Sequence, residues 1–302
     1  MTYLLDYLLV ELLRLRLTQS IPIIIMPNIT TKPKPFIYWV GGKRKIVDQL
    51  IDRLPTSLSL NNYYEPFLGG GALFFKIKDR FKQCFLSDIN LELITSYNMV
   101  KKNPTAVNDL LSKHKEQHSK EYYYSVVNND NSNDPTNITA RFLYLNKYSF
   151  NGIYCVNKKG KLGLHFSTHN HGISHFKRRL KQCSSFLSDT LIYVTDFSFI
   201  EPKENDFVYF DPPYHKAGEK FYTRLPFNEQ EQIRLRDFAK ELTSKGVKLM
   251  ISNSDTNFIR EIYQDFTINT IDIKYTITGQ KANVQKEIGV CNILCVSFKT
   301  RQ

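Results

Sequence analysis

The sequence predicts an α/β protein: a parallel sheet interrupted by an inserted, mostly helical region and completed by a terminal antiparallel ribbon. Three observations carry that expectation. Short apolar runs alternate with helical periodicity between residues 63 and 88, as strand–helix–strand units with parallel pairing do. The pattern then turns helical, aromatic and Asn-rich from about Ile94 to Ser185 before short strand runs return. Two final runs rich in Ile, Val and Thr, 266–276 and 288–299, flank a polar segment and suit the two strands of a ribbon.

Taken in order, residues 1–30 form an extension in which Leu5, Leu8, Leu9, Leu12 and Leu13 recur at helical spacing. Asp6, Glu11, Arg14 and Arg16 interrupt it, so it lacks the apolar run needed to span a bilayer, and no cleavage pattern marks a signal peptide. Met26 offers a second reading, a natural start preceded by an extended reading frame. Residues 31–95 read as the first part of the sheet domain, with a helical pattern through Ile46, Leu50, Ile51 and Leu54, strands at 63–65 and 84–87, and a helix over 72–80. Residues 96–185 read as the insertion, with an exposed polar loop at 128–137. The sheet resumes in 186–302 with strands at 191–194, 207–210 and 248–252 and a helix over 228–244.

Bulk composition narrows the partner. The 41 Lys and Arg against 29 Asp and Glu give a formal charge of +12, which favours a polyanion, nucleic acid before an anionic membrane. Five cysteines, an odd number without paired spacing, argue against a disulfide framework or a four-ligand zinc site and for a reducing cytoplasm. Cys291 and Cys295 read as buried strand residues. The histidines around His165, His169, His171 and His175 are irregularly spaced, so no metal site is expected.

Four motifs stand at the ends of predicted strands. Glu65-Pro66-Phe67-Leu68-Gly69-Gly70-Gly71 opens a helix, where small residues let a ligand approach the backbone; a purely structural turn is the competing reading. Asp88 is placed to hold a ribose diol or to cap the next helix, two roles that can coexist. Asp196-Phe197 follows the run 191–194 and by itself reads as a strand-end acid beside a core ring. Asp211-Pro212-Pro213-Tyr214 closes the apolar run 207–210, and its prolines commit the turn's carbonyls to fixed directions; its competing reading is a rigid surface turn.

These motifs, in this order, resemble the Dam-type (class alpha) family of site-specific DNA adenine-N6 methyltransferases over residues 36–298. The other segments carrying the resemblance are Tyr38-Trp39-Val40-Gly41-Gly42-Lys43, Ser87-Asp88-Ile89-Asn90, Leu145-Asn146-Lys147-Tyr148-Ser149-Phe150-Asn151-Gly152 and Ile251-Ser252-Asn253-Ser254-Asp255. The resemblance implies a Rossmann-like sheet that binds S-adenosyl-L-methionine without a metal. It assigns Trp39, Lys43, Glu65, Phe67, Gly69, Gly71, Asp88, Ile89, Asp196, Phe197 and Asp211 to the cofactor, with Lys43 facing the methionine carboxylate and Asp196-Phe197 facing the adenine.

The same resemblance makes Asp211, Pro212 and Tyr214 catalytic. The N6 lone pair of adenine is delocalised into the ring, so acceptors must localise and aim it. The Asp211 carboxylate and the Pro212 carbonyl supply two, and Tyr214 offers a face to a base flipped from the duplex. Cytosine-C5 transfer would want a nucleophilic cysteine after a proline, and none of the cysteines follows one.

The insertion then becomes the target-recognition region, with Tyr148, Phe150 and Asn151 beside the basic turn Lys158, Lys159 and Lys161, and a second basic cluster at 177–181. After Asn151-Gly152 the chain has Ile153-Tyr154-Cys155, without the arginine that GATC readers carry, so GATC is left open as the target. Residues 216–223 read as a lid or a plain loop. The expected partners are double-stranded DNA and, in a restriction–modification setting, a cognate endonuclease; an orphan enzyme is the alternative. A catalytically silent DNA-binding module, or transfer to RNA adenine, cytosine N4 or a protein amide, are the competing functions.

Overall fold

The computed structural model describes residues 32–39, 41–54, 61–129, 132–149, 165–167, 176–216, 227–274 and 290–297, the last segment and 272–274 by backbone alone. By contacts the chain divides into two units, Met1–Lys32 and Pro33–Gln302, and the architecture that follows is that of the second. The expectations for residues 1–30, for the loop beyond Lys216 and for Phe150, Asn151, Lys158, Lys159 and Lys161 fall outside the described residues.

Five strands, β1 (Tyr63–Glu65), β2 (Cys84–Asp88), β3 (Leu191–Val194), β4 (Phe207–Phe210) and β5 (Lys248–Ser254), form a parallel sheet ordered β3-β2-β1-β4-β5. The inner strands are apolar runs because both faces are covered, whereas β3 at the edge leaves Leu191 and Val194 exposed. Tyr63, Phe207, Tyr209 and Met250 pack into one buried cluster, while Tyr64, Val208, Phe210, Leu249 and Ile251 pack into the other. Beyond β5 the backbone of β7 (Val290–Ser297) pairs antiparallel with β5 on one side and with β6 (Thr267–Lys274) on the other. The C-terminal strand thus lies inside its predecessor, and β6 forms the edge.

Before the sheet, a 3₁₀ turn at Lys43–Lys45 leads into α1 (Val47–Ile51). The helix expected over 72–80 is split between α2 (Phe74–Ile77) and a 3₁₀ turn, Lys78–Arg80. Between the adjacent strands β2 and β3 run α3 (Leu91–Lys102), α4 (Pro104–Glu116), α5 (Lys120–Asn128), α6 (Pro135–Tyr148) and α7 (Phe176–Leu187). On the opposite face lie α8 (Glu229–Ser244) and α9 (Asn257–Ile262).

Local chemistry sets the helix starts. Asn90, Asn103, Ser119, Asp134, Asn228 and Thr256 each accept a backbone N–H of the first turn, an interaction worth about 1 kcal/mol at an N-cap. Pro104 and Pro135 occupy first-turn positions, where the missing N–H costs nothing. Arg141 of α6 donates to the Val126 and Val127 carbonyls at the end of α5 and pairs with Glu92 of α3 at 3.1 Å. The helical layer is continuous with the sheet: Tyr97, Tyr123, Tyr144 and Tyr148 belong to the same buried cluster as Tyr63 and Phe207.

Candidate active site at the carboxyl edge of the sheet

The strand order places a topological switch between β1 and β4, the point at which open α/β sheets hold ligands outside their carboxyl ends. It also lines up four acids at the carboxyl ends of four neighbouring strands: Asp196 beyond β3, Asp88 on β2, Glu65 on β1 and Asp211 beyond β4. Neighbouring strands lie about 4.8 Å apart, so this row spans the length of an extended small ligand.

The turn after β1 is built for close approach. Gly69 and Gly71 adopt φ of +45° and +64°, and a Cβ at Gly69 would stand 2.6 Å from the Trp39 ring. Trp39 therefore packs directly on the glycine turn. The Tyr97 hydroxyl donates to the Gly69 carbonyl at 3.2 Å, and the Gly69 N–H donates to Asp88 Oδ2 at 3.2 Å. The Asp88 Oδ1 accepts the Asn90 N–H at 3.0 Å. Helix α3 is capped by Asn90, whose side chain accepts from Leu93, so the helix-capping reading of Asp88 is corrected: its carboxylate ties the glycine turn to its own strand end. Burial raises the Asp88 carboxyl to about 6, against the backbone hydrogen bonds that favour its charge. Beside it Ile89 is 49% exposed, an apolar surface flanking a hydrogen-bonding acid.

Glu65 is buried, accepts the Tyr63 hydroxyl at 2.9 Å, and is pushed up to about 8 by burial, with Asp211 adding to the rise. Phe67 stacks on Phe197 with ring centres 5.4 Å apart, which brings the turn after β1 against the segment after β3. There Asp196 receives both Arg234 terminal nitrogens, at 2.7 and 2.9 Å, together with the Ser198 N–H and hydroxyl. Burial alone would raise the Asp196 carboxyl, but those hydrogen bonds hold it at about 2. The Arg234 guanidinium lies 4.0 Å over the Phe197 ring, and Phe197 is itself buried.

At β4, Asp211 forms an ion pair with Lys43 at 2.7 Å. Lys43 is buried, donates a second hydrogen bond to the Gly41 carbonyl at 2.7 Å, and sits 4.7 Å over the Tyr214 ring. Burial raises the Asp211 carboxyl above the usual range; Lys43 and the Tyr214 hydroxyl oppose the rise. Trp39, Lys43, Glu65, Phe67, Gly69, Gly71, Asp88, Asp211, Pro212 and Tyr214 therefore gather at the carboxyl edge of β2, β1 and β4, with Asp196 and Phe197 towards β3. Among the described residues no cluster of His, Cys, Asp and Glu could hold a metal ion.

A family model described as D12 class N6 adenine-specific DNA methyltransferase matches residues 39–277. The chain belongs to that family. Among its relatives, a type II methyltransferase, M1.LlaDCHI of Lactococcus lactis subsp. cremoris, is 34% identical over 84% of this chain and 93% of its own length. The type II methyltransferase M.MjaIII of Methanocaldococcus jannaschii is 34% identical over 88% of this chain and 99% of its own. The DNA adenine methylase of Escherichia coli K12 is 29% identical over 84% of this chain and 93% of its own.

In this D12-class methyltransferase some predicted residues sit elsewhere than the motif suggested. Tyr148 is buried at the end of α6, its ring 3.9 Å from His118, so it belongs to the aromatic interior of the helical layer and presents no face to a base. Its neighbour Lys147 is also buried, lying 4.4 Å over Tyr38 and 4.6 Å over Phe176, with Arg44 5.0 Å over the same Tyr38 ring. Burial, and then Arg179 and Arg44, lower the Lys147 ammonium to about 8. Arg234 and the place of Lys147 over Tyr38 leave no mark on a local motif, because Asp196 lies 38 residues from Arg234 and Tyr38 is still further from Lys147.

Proposed function

We propose that this adenine-specific DNA methyltransferase uses S-adenosyl-L-methionine to methylate the N6 amine of an adenine flipped out of double-stranded DNA, within a short recognition sequence. The supporting observation is the row of four acids along the carboxyl edge, ending at the Lys43–Asp211 pair. The donor set suits the cofactor. Asp88, fixed by two N–H groups, offers an acceptor for a ribose diol, and Ile89 offers an apolar surface to the purine. Asp196 and Phe197 would face the adenine end, where Arg234 now accounts for the carboxylate's hydrogen bonds. Glu65 stands where a methionine ammonium would restore its charge, and the glycine turn leaves the backbone approachable. An ammonium has three donors; Lys43 commits two to Asp211 and Gly41, which leaves one for a carboxylate.

The bound cofactor supplies a sulfonium-activated methyl group, so the protein's task is to aim the amine. Asp211 accepts one N6 hydrogen and the Pro212 carbonyl the other, which localises the nitrogen lone pair towards the methyl. Lys43 opposes the rise that burial imposes on the Asp211 carboxyl and, at 2.7 Å, fixes the carboxylate's rotation. Tyr214 provides a ring face to the flipped base, paying back part of the cost of unstacking.

Residues 96–185, with Phe150, Asn151, Lys158, Lys159 and Lys161, are assigned to target recognition. The names of the type II relatives favour a restriction–modification setting with a cognate endonuclease, an orphan enzyme being the alternative. The substrate favours a cytoplasmic location, on the nucleoid when bound.

The test is methyl transfer from labelled cofactor to unmethylated DNA, followed by nucleoside analysis. N6-methyladenine should be the product, and Asp211→Ala should abolish it, a loss of about 10³-fold or more. N4-methylcytosine as product, or undiminished transfer by Asp211→Ala, would refute the assignment; cofactor binding without turnover on any DNA would identify a silent binding module.

A further inference from the structure

The turn that carries Asp211 and Pro212 is held by a chain of buried side-chain amides. Gln232, in the first turns of α8, donates Nε2–H to the Pro213 carbonyl at 2.8 Å. Its Oε1 accepts from Asn253 Nδ2 of β5 at 2.9 Å. Asn253 Oδ1 accepts the backbone N–H of His215 at 3.1 Å and that of Ser254 at 2.9 Å. The Ser254 hydroxyl donates to the His215 carbonyl. Gln232 and Asn253 are fully buried. The His215 imidazole is fixed by Thr256 at 2.8 Å and Glu229 at 3.0 Å.

The direction of every hydrogen bond in this chain is forced. Two backbone N–H groups require an acceptor at Asn253, which turns its NH₂ towards Gln232. That in turn requires the Gln232 oxygen to face Asn253 and its NH₂ to face Pro213. Rotating either amide by half a turn would set donor against donor and acceptor against acceptor in a buried site, at a cost no solvent can offset. Three successive peptide units after Pro212 are pinned: through the Pro213 carbonyl, the His215 N–H and the His215 carbonyl. Proline rings fix φ at 212 and 213. The Pro212 carbonyl and the Tyr214 ring thus inherit their orientation from α8 and β5.

We propose that Gln232 and Asn253 are positioning residues that aim the acceptor turn for transfer, a role that rests on the function proposed above. Neither needs to touch the substrate; the relay converts the rigidity of a helix and a strand into the angle at which N6 meets its acceptors. A misplacement of about 1 Å at such a centre can cost about 10²-fold in rate.

The test compares kcat for DNA methylation, cofactor affinity by calorimetry and the thermal midpoint in the parent, Gln232→Leu and Gln232→Glu. In Gln232→Leu, kcat should fall about 10²-fold while cofactor affinity stays within about twofold, a split that a general loss of folding would not give. Gln232→Glu places an oxygen against the Pro213 carbonyl unless the acid is protonated and donates. Its kcat relative to the parent should therefore recover as pH is lowered. A kcat within about threefold of the parent in both variants, or a flat ratio against pH for Gln232→Glu, would overturn the relay. Should Gln232→Leu not fold, Gln232→Glu decides alone, and a crystal structure of that variant at high pH with the 212–215 turn unmoved would also overturn it. An inactive parent would instead refute the proposed function, leaving the relay to be judged by that crystal structure.

Discussion

The turn after β1 and the turn after β4 stand side by side at the carboxyl edge of the sheet and are held by opposite means. The first is secured from its backbone: Asp88 accepts the Gly69 N–H, Tyr97 donates to the Gly69 carbonyl, and Trp39 fills the space a side chain would need. The second is secured through proline rings, an ion pair and buried amides. The difference follows from what each must do. A turn that admits a ligand against its backbone needs missing side chains, and one that points a carbonyl needs missing freedom.

Three substitutions would break or sharpen that contrast. Lys43→Met strikes the acceptor side hardest. Burial is then opposed by the Tyr214 hydroxyl alone, so the Asp211 carboxyl titrates at higher pH, and the acid limb of the rate profile should move upward. At pH 7 kcat should fall about 10²- to 10³-fold, measured with saturating cofactor and DNA.

Gly69→Ala is the matching insult on the cofactor side. The strained φ and the Cβ against Trp39 should weaken cofactor binding about tenfold and lower stability by about 1–3 kcal/mol, read by calorimetry and denaturant melts. An alanine that left cofactor binding untouched would remove the case for close approach.

Asp88→Asn should have the smallest effect, about a five- to tenfold loss of cofactor affinity. It also carries a pH signature. With its carboxyl raised to about 6, the folded state binds more protons than the unfolded one between about pH 4 and 6, so stability falls as pH rises through that window. Melts of Asp88→Asn across the same range should lack that slope.

These contacts mark where reading the sequence stops. The five parallel strands were legible as short apolar runs between helical patterns, the inner ones because they are covered on both faces and β3 because Leu191-Ile192-Tyr193-Val194 is still apolar at the edge. The motifs located Asp88, Glu65 and Asp211, but their alignment depends on strand order, which no local pattern encodes. Asp88 and Asn90 are both plausible caps by type; only Asn90 reaches the Leu93 N–H. Gln232 reads as one more polar residue on an amphipathic helix, and its partner Asn253 lies 21 residues onward. Tyr148, set among aromatic and basic residues, suggested a stacking surface, yet His118 from the loop after α4 covers its ring.

One contact bears on how such enzymes change their targets. Asn146 near the end of α6 accepts the Tyr38 N–H at 2.9 Å and donates to the Tyr38 carbonyl at 2.7 Å, locking the end of that helix to the strip next to Trp39 and Lys43. The end of α6 is thus tied to that strip by a side chain bonded twice to the Tyr38 backbone. An exchange of recognition segments between relatives would keep its register only if the joint is inherited intact.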